Sequence, residues 1–213
     1  MTRMLQGRTE ENEGYFQVLQ DDVLAGIACK INSTVAWQEQ LARYPVLEQN
    51  SYAKVVETDK VGWAEYDSPA PNPCCAPGKL RVLLNYQFSG RELLLQHLAR
   101  MFRIPVETLN VNIWCIVGTV GFHKDISRKA SLNIPLLNGA AAITTIETVR
   151  GYYVGYRMLD GYQYLLNSAE YPHAILFDKQ FSERWFLGVH FYEHDYHDLQ
   201  ERLRVTVQTL GLS

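Results

Sequence analysis

The sequence predicts a mainly β protein that carries helices in its first part. The prediction depends on seven short segments in the second half, which are rich in β-branched and aromatic residues and are mostly separated by Gly, Pro, Asn or Asp. These segments are 111–117, 129–136, 142–148, 152–157, 162–167, 173–177 and 184–191. Short strands at such intervals are typical of a β sandwich or barrel.

Three other segments have helical periodicity. The predicted helices are 32–43, 89–102 and 197–210. The middle helix gives the strongest signal, because Ser89 and Glu92 have the spacing of a capping box and apolar residues follow at helical intervals. Asn32 or Ser33 is the predicted cap of the first helix.

The length and layout predict one domain. A chain of 213 residues is long enough for one sizeable core. We expect residues 1–110 to form a helical and irregular N-terminal part and residues 111–213 to form the β core. The loop at 67–78 holds four prolines and a glycine, and we interpret it as a surface loop rather than a domain boundary.

Composition excludes several classes of protein. The net charge is −3 and the basic residues are scattered, so no nucleic-acid partner is expected. No apolar run has the length of a membrane span, and the first thirteen residues lack a signal-peptide core, so we expect no membrane association and a cytoplasmic location. The four cysteines Cys29, Cys74, Cys75 and Cys115 fit that compartment as free thiols.

Three residues have the pattern of a metal site. His123 and Asp125 are two apart, so on an extended segment their side chains point to the same side. His173 begins another predicted strand, and a sandwich can bring the two strands face to face. Two histidines and one carboxylate form a facial triad that leaves coordination positions open, as in non-haem Fe(II) oxygenases.

One arginine follows these residues at the start of a predicted strand, where it could reach the same site. Arg184 begins the final long strand, eleven residues after His173. A guanidinium there can pair with the far carboxylate of a dicarboxylic acid whose other end binds the metal. A metal at one end and an arginine at the other is the layout needed to hold 2-oxoglutarate.

The residues from Asn112 to Phe191 resemble the aspartyl/asparaginyl β-hydroxylase-like branch of the Fe(II)/2-oxoglutarate dioxygenases, to which proline cis-hydroxylases are related. The segments that carry the resemblance are GFHKDISRKASLNIPLLN, from Gly121, and YQYLLNSAEYPHAILFDKQFSERWFLGVHF, from Tyr162. The resemblance implies a double-stranded β-helix, which is a jelly-roll of cupin-like type. It covers residues 112–191, and the first hundred residues match nothing that we recognise.

The resemblance also implies roles for individual residues. His123, Asp125 and His173 would bind Fe(II), and Arg184 would pair with the C5 carboxylate of 2-oxoglutarate. Polar co-substrate contacts are expected from three further residues, which are Asn112, Ser131 and Asn133. Some peptide hydroxylases of this branch carry basic residues at the last two positions and lack the metal-binding acid, so the presence of Asp125 puts direct transfer of their substrate in doubt.

Other interpretations of these residues stay open at this point. The triad residues can be three unrelated polar residues of a β domain, and Asn112, Ser131 and Asn133 can equally satisfy backbone groups at strand ends. Arg128 is a candidate clamp for a substrate carboxylate, or a solvated charge at a strand edge. Five tyrosines are most simply strand packing residues, with the alternative that one of them lines the substrate mouth; they are Tyr152, Tyr153, Tyr156, Tyr162 and Tyr164.

A second histidine cluster follows the last strand. It consists of His190, His194 and His197 with Asp195 and Asp198. No cysteine or third spaced ligand joins them, so a solvated, acidic end of the strand is the better interpretation.

The sequence therefore predicts an Fe(II)/2-oxoglutarate-dependent oxygenase that hydroxylates a free amino acid or a peptide residue, with molecular oxygen as the second co-substrate. One alternative is a non-catalytic, cupin-like binding module with a vestigial metal site. Another is a jelly-roll metal enzyme that needs no 2-oxoglutarate, such as an isomerase. Arg184 discriminates between them, because only the oxygenase gives it a required role.

Overall fold

The structure, a computed structural model, describes most of the chain. The described residues are 2–4, 14–33, 37–50, 59–68, 78–177 and 183–209. Within them the chain forms four α-helices and thirteen β-strands in two sheets. The helices are α1 (Asp22–Ser33), α2 (Trp37–Ala42), α3 (Arg91–Phe102) and α4 (Tyr196–Thr209).

Most of the strands belong to the second half of the chain. The strands before α3 are β1 (Thr2–Met4), β2 (Phe16–Asp21), β3 (Val46–Asn50), β4 (Gly62–Asp67) and β5 (Lys79–Leu84). The strands after α3 are β6 (Leu109–Val117), β7 (Val120–His123), β8 (Ala130–Leu137), β9 (Ala142–Glu147), β10 (Tyr153–Arg157), β11 (Gln163–Leu166), β12 (His173–Phe177) and β13 (Glu183–Phe191). All seven predicted strands are present, with small shifts at their ends.

The two sheets form a double-stranded β-helix, so the predicted fold class is confirmed. The large sheet has the order β1-β2-β11-β8-β13-β6-β5-β4-β3, and the small sheet has the order β10-β9-β12-β7. The last eight strands are divided between the sheets, four in each, which is the arrangement of a jelly-roll. All pairs are antiparallel except β3 with β4.

Side-chain alternation on the large sheet gives the fold two apolar cores. On β13, Trp185, Leu187, Val189 and Phe191 pack against the helices. The intervening residues of the strand point between the sheets, because successive side chains of a strand face opposite sides. These intervening residues are Arg184, Phe186, Gly188 and His190. Three polar or small residues in such a place indicate a site rather than a sealed core.

The first part of the chain contributes more to the β structure than the sequence predicts. Strands β2, β4 and β5 extend the large sheet on both sides of the jelly-roll, so residues 1–110 are not only helical and irregular. Strand β4 is buried on both faces at its start and therefore lacks the alternation that marks a strand. The predicted 67–78 loop is described only at its ends, and residues 69–77 lie outside the described residues.

Two helix predictions need correction. The helix predicted at 32–43 is instead the end of α1 and the whole of α2. The predicted capping box of α3 does not form, because Gly90 is the N-cap, with a left-handed φ of 92°, and Ser89 lies outside the helix. The Glu92 carboxylate instead accepts a hydrogen bond from Gln96 at 2.9 Å. Glycine adopts this left-handed conformation without the steric penalty of a Cβ.

Two of the four cysteines lie within the described residues. Cys29 and Cys115 are free thiols, and Cys74 and Cys75 lie outside the described residues. Burial and the neighbouring Glu183 carboxylate raise the pKa of Cys115, so this thiol stays protonated at neutral pH. Over the same residues, each helix is too short or too polar to span a lipid bilayer.

Candidate metal and co-substrate site

The three predicted metal ligands come together at one edge of the small sheet. His123 ends β7 and His173 begins β12, and the two residues lie directly opposite each other in the strand register. Their ring centroids are 4.4 Å apart. Asp125 follows β7, where its backbone N–H donates a hydrogen bond to the carbonyl of Ser168 at 3.0 Å. The candidate ligand atoms of the three side chains lie within 4.8 Å of one another.

Hydrogen bonds orient both imidazole rings for ligation. Nδ1 of His123 lies 2.8 Å from the carbonyl oxygen of Gly121. A carbonyl can only accept, so Nδ1 carries a proton, and in the neutral ring the lone pair is then on Nε2. Nδ1 of His173 faces the carbonyl of Tyr171 in the same way at the longer distance of 3.5 Å. Such contacts fix the tautomer of metal-binding histidines.

The charge states of His173 and Asp125 suit a dication. Burial lowers the pKa of His173 to about 4, so the ring is neutral at pH 7. Burial raises the pKa of Asp125, but the charge and hydrogen bonds of Arg128 outweigh it, and the pKa lies below the usual value for a carboxyl group. Neutral imidazole and ionised carboxylate are the forms that bind metal.

Arg128 lies beside the triad and contacts Asp125 with two hydrogen bonds. Its Nε donates to Oδ2 at 2.6 Å and its Nη2 donates to Oδ1 at 2.8 Å. Its Nη1 lies 2.7 Å from Nε2 of His190. Burial, with the positive charge of Arg128, lowers the pKa of His190 well below its usual value, so the neutral ring accepts this bond. A solvated charge at a strand edge is therefore the wrong interpretation of Arg128.

Arg184 lies deeper in the same pocket and has no carboxylate partner among the described residues. The pocket has a volume of about 380 Å³ and is lined by the triad, Arg184 and residues of both sheets. Arg184 is only 1% exposed, its Nη1 donates to Oγ1 of Thr144 at 3.0 Å, and its Nε has no hydrogen-bond partner in the described structure. Burial lowers its pKa to about 10, so the guanidinium remains charged at neutral pH.

Tyr156 is a further polar group beside Arg184, and its place in the pocket could not be predicted from the sequence. Its hydroxyl lies among Arg184, Thr144 and Asn133, yet it makes no hydrogen bond of normal geometry to a described residue. Burial raises the pKa of Tyr156 to about 12, so the hydroxyl is a donor at neutral pH. Buried polar groups are nearly always hydrogen-bonded, so orphaned donors on Arg184 and Tyr156 indicate a place for an anionic ligand.

The register of the small sheet relates the two ends of the pocket. On β9, Ile146 pairs with His173, and Thr144 pairs with Ile175. Thr144 therefore lies two residues further along the sheet than the row that carries His173, which is about 7 Å for extended chains. A five-carbon dicarboxylate has the length to reach from the triad to Arg184.

The three other predicted co-substrate contacts also face this pocket. Asn112 lies on β6, and Ser131 and Asn133 lie on the neighbouring part of the large sheet. Asn112 donates a hydrogen bond to the side chain of Asn110. Asn133 lies opposite Gly188 in the register of β8 and β13. Their contacts to a co-substrate stay predictions.

The second histidine cluster does not come together. His190 is buried and faces the pocket, so a solvated strand end is wrong for this residue. His194 pairs with Asp198 at 2.7 Å, and His197 lies 3.6 Å from Glu170 on the surface. Among the described residues, His123, Asp125 and His173 are the one group of three or more His, Cys, Asp or Glu side chains whose ligand atoms lie close enough together for a metal site.

Solved structures place this fold among known proteins. No protein-family model and no curated protein matches the sequence. A 2OG-Fe(II) oxygenase family protein from Burkholderia pseudomallei superposes with a TM-score of 0.53 and 13% identity, over 91% of this chain and 94% of that one. The chain has the fold of the 2OG-Fe(II) oxygenases.

Two prolyl hydroxylase structures are also similar. The first, from Trichoplax adhaerens, was solved with a peptide fragment of hypoxia inducible factor, and it matches with a TM-score of 0.50 and 9% identity over 91% of this chain and 88% of that one. A prolyl-4-hydroxylase from Pseudomonas putida matches with a TM-score of 0.49 and 10% identity over 87% and 96% of the two chains.

The residues of this chain fit the two groups that the fold implies. Two oriented imidazoles and an ionised carboxylate provide the donor set of an Fe(II) facial triad. The unpaired donors of Arg184 and Tyr156 suit the distal carboxylate of 2-oxoglutarate. The pocket therefore offers candidate metal-ligand atoms at one end and unpaired donors at the other.

Proposed function

We propose that the protein is an Fe(II)/2-oxoglutarate-dependent oxygenase that hydroxylates an amino acid or a peptide residue. The observation that carries the proposal is the buried, charged Arg184, which lies in the pocket of the triad without a carboxylate partner among the described residues. An uncompensated buried charge is strongly unfavourable, so the site calls for an anionic ligand. A cupin-like module without a co-substrate gives this arginine no partner.

Each side chain then has a defined task. His123, Asp125 and His173 hold the metal, and Arg184 and Tyr156 bind the C5 carboxylate, with Thr144 orienting the guanidinium. Asn112, Ser131 and Asn133 offer polar contacts along the pocket wall. When bound, Fe(II), 2-oxoglutarate and oxygen supply the chemistry that turns a C–H bond into C–OH while 2-oxoglutarate becomes succinate and CO₂. The protein fixes the geometry and excludes water.

The substrate class is proposed from two sources. The resemblance to the aspartyl/asparaginyl hydroxylase-like branch, with its related proline cis-hydroxylases, favours an amino acid. The peptide bound in the Trichoplax structure supports a peptide residue as a second class. Exposed apolar side chains at the pocket mouth, Ile126 and Tyr192, are available for contact with either.

Succinate formation is the test of this proposal. Protein with Fe(II), ascorbate and oxygen is expected to convert 2-oxoglutarate to succinate slowly alone and faster with the right substrate. A panel of proline, asparagine and aspartate, followed by short peptides, would be screened for added oxygen mass. Iron-loaded protein that forms no succinate under any condition would instead favour the vestigial binding module.

Tyr156→Phe is expected to weaken 2-oxoglutarate binding without lowering the free energy of unfolding. A hydrogen bond to a charged group contributes about 1.5–3 kcal/mol, so the variant should bind 2-oxoglutarate at least roughly tenfold more weakly. Its free energy of unfolding without ligand should not fall, because the lost hydroxyl lacks a hydrogen bond there. Calorimetric titration and urea unfolding measure the two effects. Unchanged affinity would remove Tyr156 from the carboxylate site.

A further inference from the structure

The contact between Arg128 and Asp125 affects how many coordination positions of a bound metal stay free of protein ligands. Nε and Nη2 form the two-pronged edge of the guanidinium, and each prong contacts a different oxygen of the carboxylate, at 2.6 and 2.8 Å. A fork of this kind takes the lone pairs of both oxygens that face the arginine. The remaining lone pairs point away from each other, so one ion can meet only one oxygen.

The guanidinium is itself held by two neighbours on the large sheet. Its Nη1 donates to Nε2 of His190, and its carbon lies 5.4 Å from the ring centre of Trp114. The Trp114 indole in turn lies against Gly188, where a Cβ would come within 2.7 Å of the ring. Side chains of β6 and β13 thus fix the direction from which Arg128 approaches Asp125.

These contacts use all three guanidinium nitrogens of Arg128, so few of its hydrogen-bond donors are free to bind a substrate. The Nε–Nη2 edge that would grip a carboxylate is taken by Asp125, and Nη1 is bound to His190. The pair is mostly shielded from solvent, with side-chain exposures of 19% and 10%. A substrate clamp would need this edge to be free, so the geometry argues against the clamp that the sequence suggested.

We propose that Arg128 is a positioning residue that restricts Asp125 to metal ligation through one oxygen and so keeps one coordination position open. The inference rests on the proposed function, because it assumes the His123, Asp125 and His173 metal site. A carboxylate bound through both oxygens would take a fourth position. The co-substrate and oxygen together need the positions that a facial triad leaves free.

The number of water molecules on Mn(II) tests the proposal without any turnover. Water-proton relaxation of the Mn(II)-loaded protein reports the inner-sphere waters, and the wild type should hold about three, the positions left open by a facial triad on an octahedral ion. Arg128→Gln, which removes the fork, should lose one of them. Arg128→Lys retains a positive charge but not the fork, so it should lose the same water and guards against a variant that fails to fold.

Lys129→Gln is the matched control for the Arg128 variants. Lys129→Gln removes a neighbouring positive charge whose ammonium contacts only the Glu193 carbonyl among the described residues, so its water count should equal that of the wild type. Equal counts in all four proteins would overturn the proposal, because Arg128 would then not restrict Asp125 to one oxygen. A wild type that binds no Mn(II) would overturn the proposed function as well.

Discussion

Replacing His173 by alanine is expected to abolish specific metal binding. Loss of a partner outside the coordination sphere typically costs 10–100-fold in metal affinity, so loss of a ligand itself should cost more than about 100-fold. His173 is buried, faces His123 across the sheet and lies within ligand distance of Asp125. Metal analysis after dialysis, with the thermal shift on metal addition, measures the effect, because a ligand that binds the folded state stabilises it by an amount that rises with the logarithm of the ratio of ligand concentration to Kd.

His197→Ala is the matched control for this variant. His197 is 61% exposed and lies on the surface, where it contacts Glu170 at 3.6 Å and the ring of Tyr196, so its removal should leave metal content unchanged. Far-ultraviolet circular dichroism would show that both variants retain the β fold. Equal metal content in the wild type and His173→Ala would refute the triad.

Replacing Arg184 by methionine is expected to remove 2-oxoglutarate binding while sparing the metal. Truncating one partner of a buried charge pair costs about 2–5 kcal/mol, which corresponds to roughly 30- to 5,000-fold in affinity. The metal-free variant should be no less stable than the wild type, because it loses a buried charge that has no carboxylate partner among the described residues. Calorimetric titration and urea unfolding would measure the two quantities.

Arg81→Met is the control for Arg184→Met, because it removes a partly buried arginine that lies outside the pocket. Arg81 forms an ion pair with Glu65 at the other face of the large sheet, so its loss should destabilise the protein without affecting 2-oxoglutarate. If Arg184→Met binds the co-substrate as well as the wild type does, another basic residue holds it and the proposed orientation is wrong.

The features that could be predicted from the sequence have local patterns of residues. The seven strands were identifiable because turns and β-branched or aromatic residues separate them at short intervals. The triad and Arg184 were identifiable because a strand repeats its face every second residue and the motifs lie near strand ends. Helix α1 was missed, although Asp21 accepts hydrogen bonds from the backbone N–H groups of Val23 and Leu24 as its N-cap. Apolar residues at helical spacing follow that cap.

What the sequence missed depends on contacts between distant residues. Strands β4 and β5 pair across a proline-rich segment, and β5 joins β6 only through the sheet. Tyr156 resembled any strand tyrosine until the fold placed it beside Arg184. His190 lies 62 residues from Arg128 in the chain, so neither local spacing nor composition reveals that they bind each other.

An anaerobic titration of 2-oxoglutarate into the Fe(II)-loaded protein tests whether the metal triad and Arg184 together bind this co-substrate. Visible absorption reports chelation of the metal, and calorimetry reports the stoichiometry. We predict one equivalent of 2-oxoglutarate per bound Fe(II), with the absorption change absent from His173→Ala and binding strongly weakened in Arg184→Met. Binding of 2-oxoglutarate that is independent of both the metal and Arg184, or no binding at all to protein that holds Fe(II), would contradict the account.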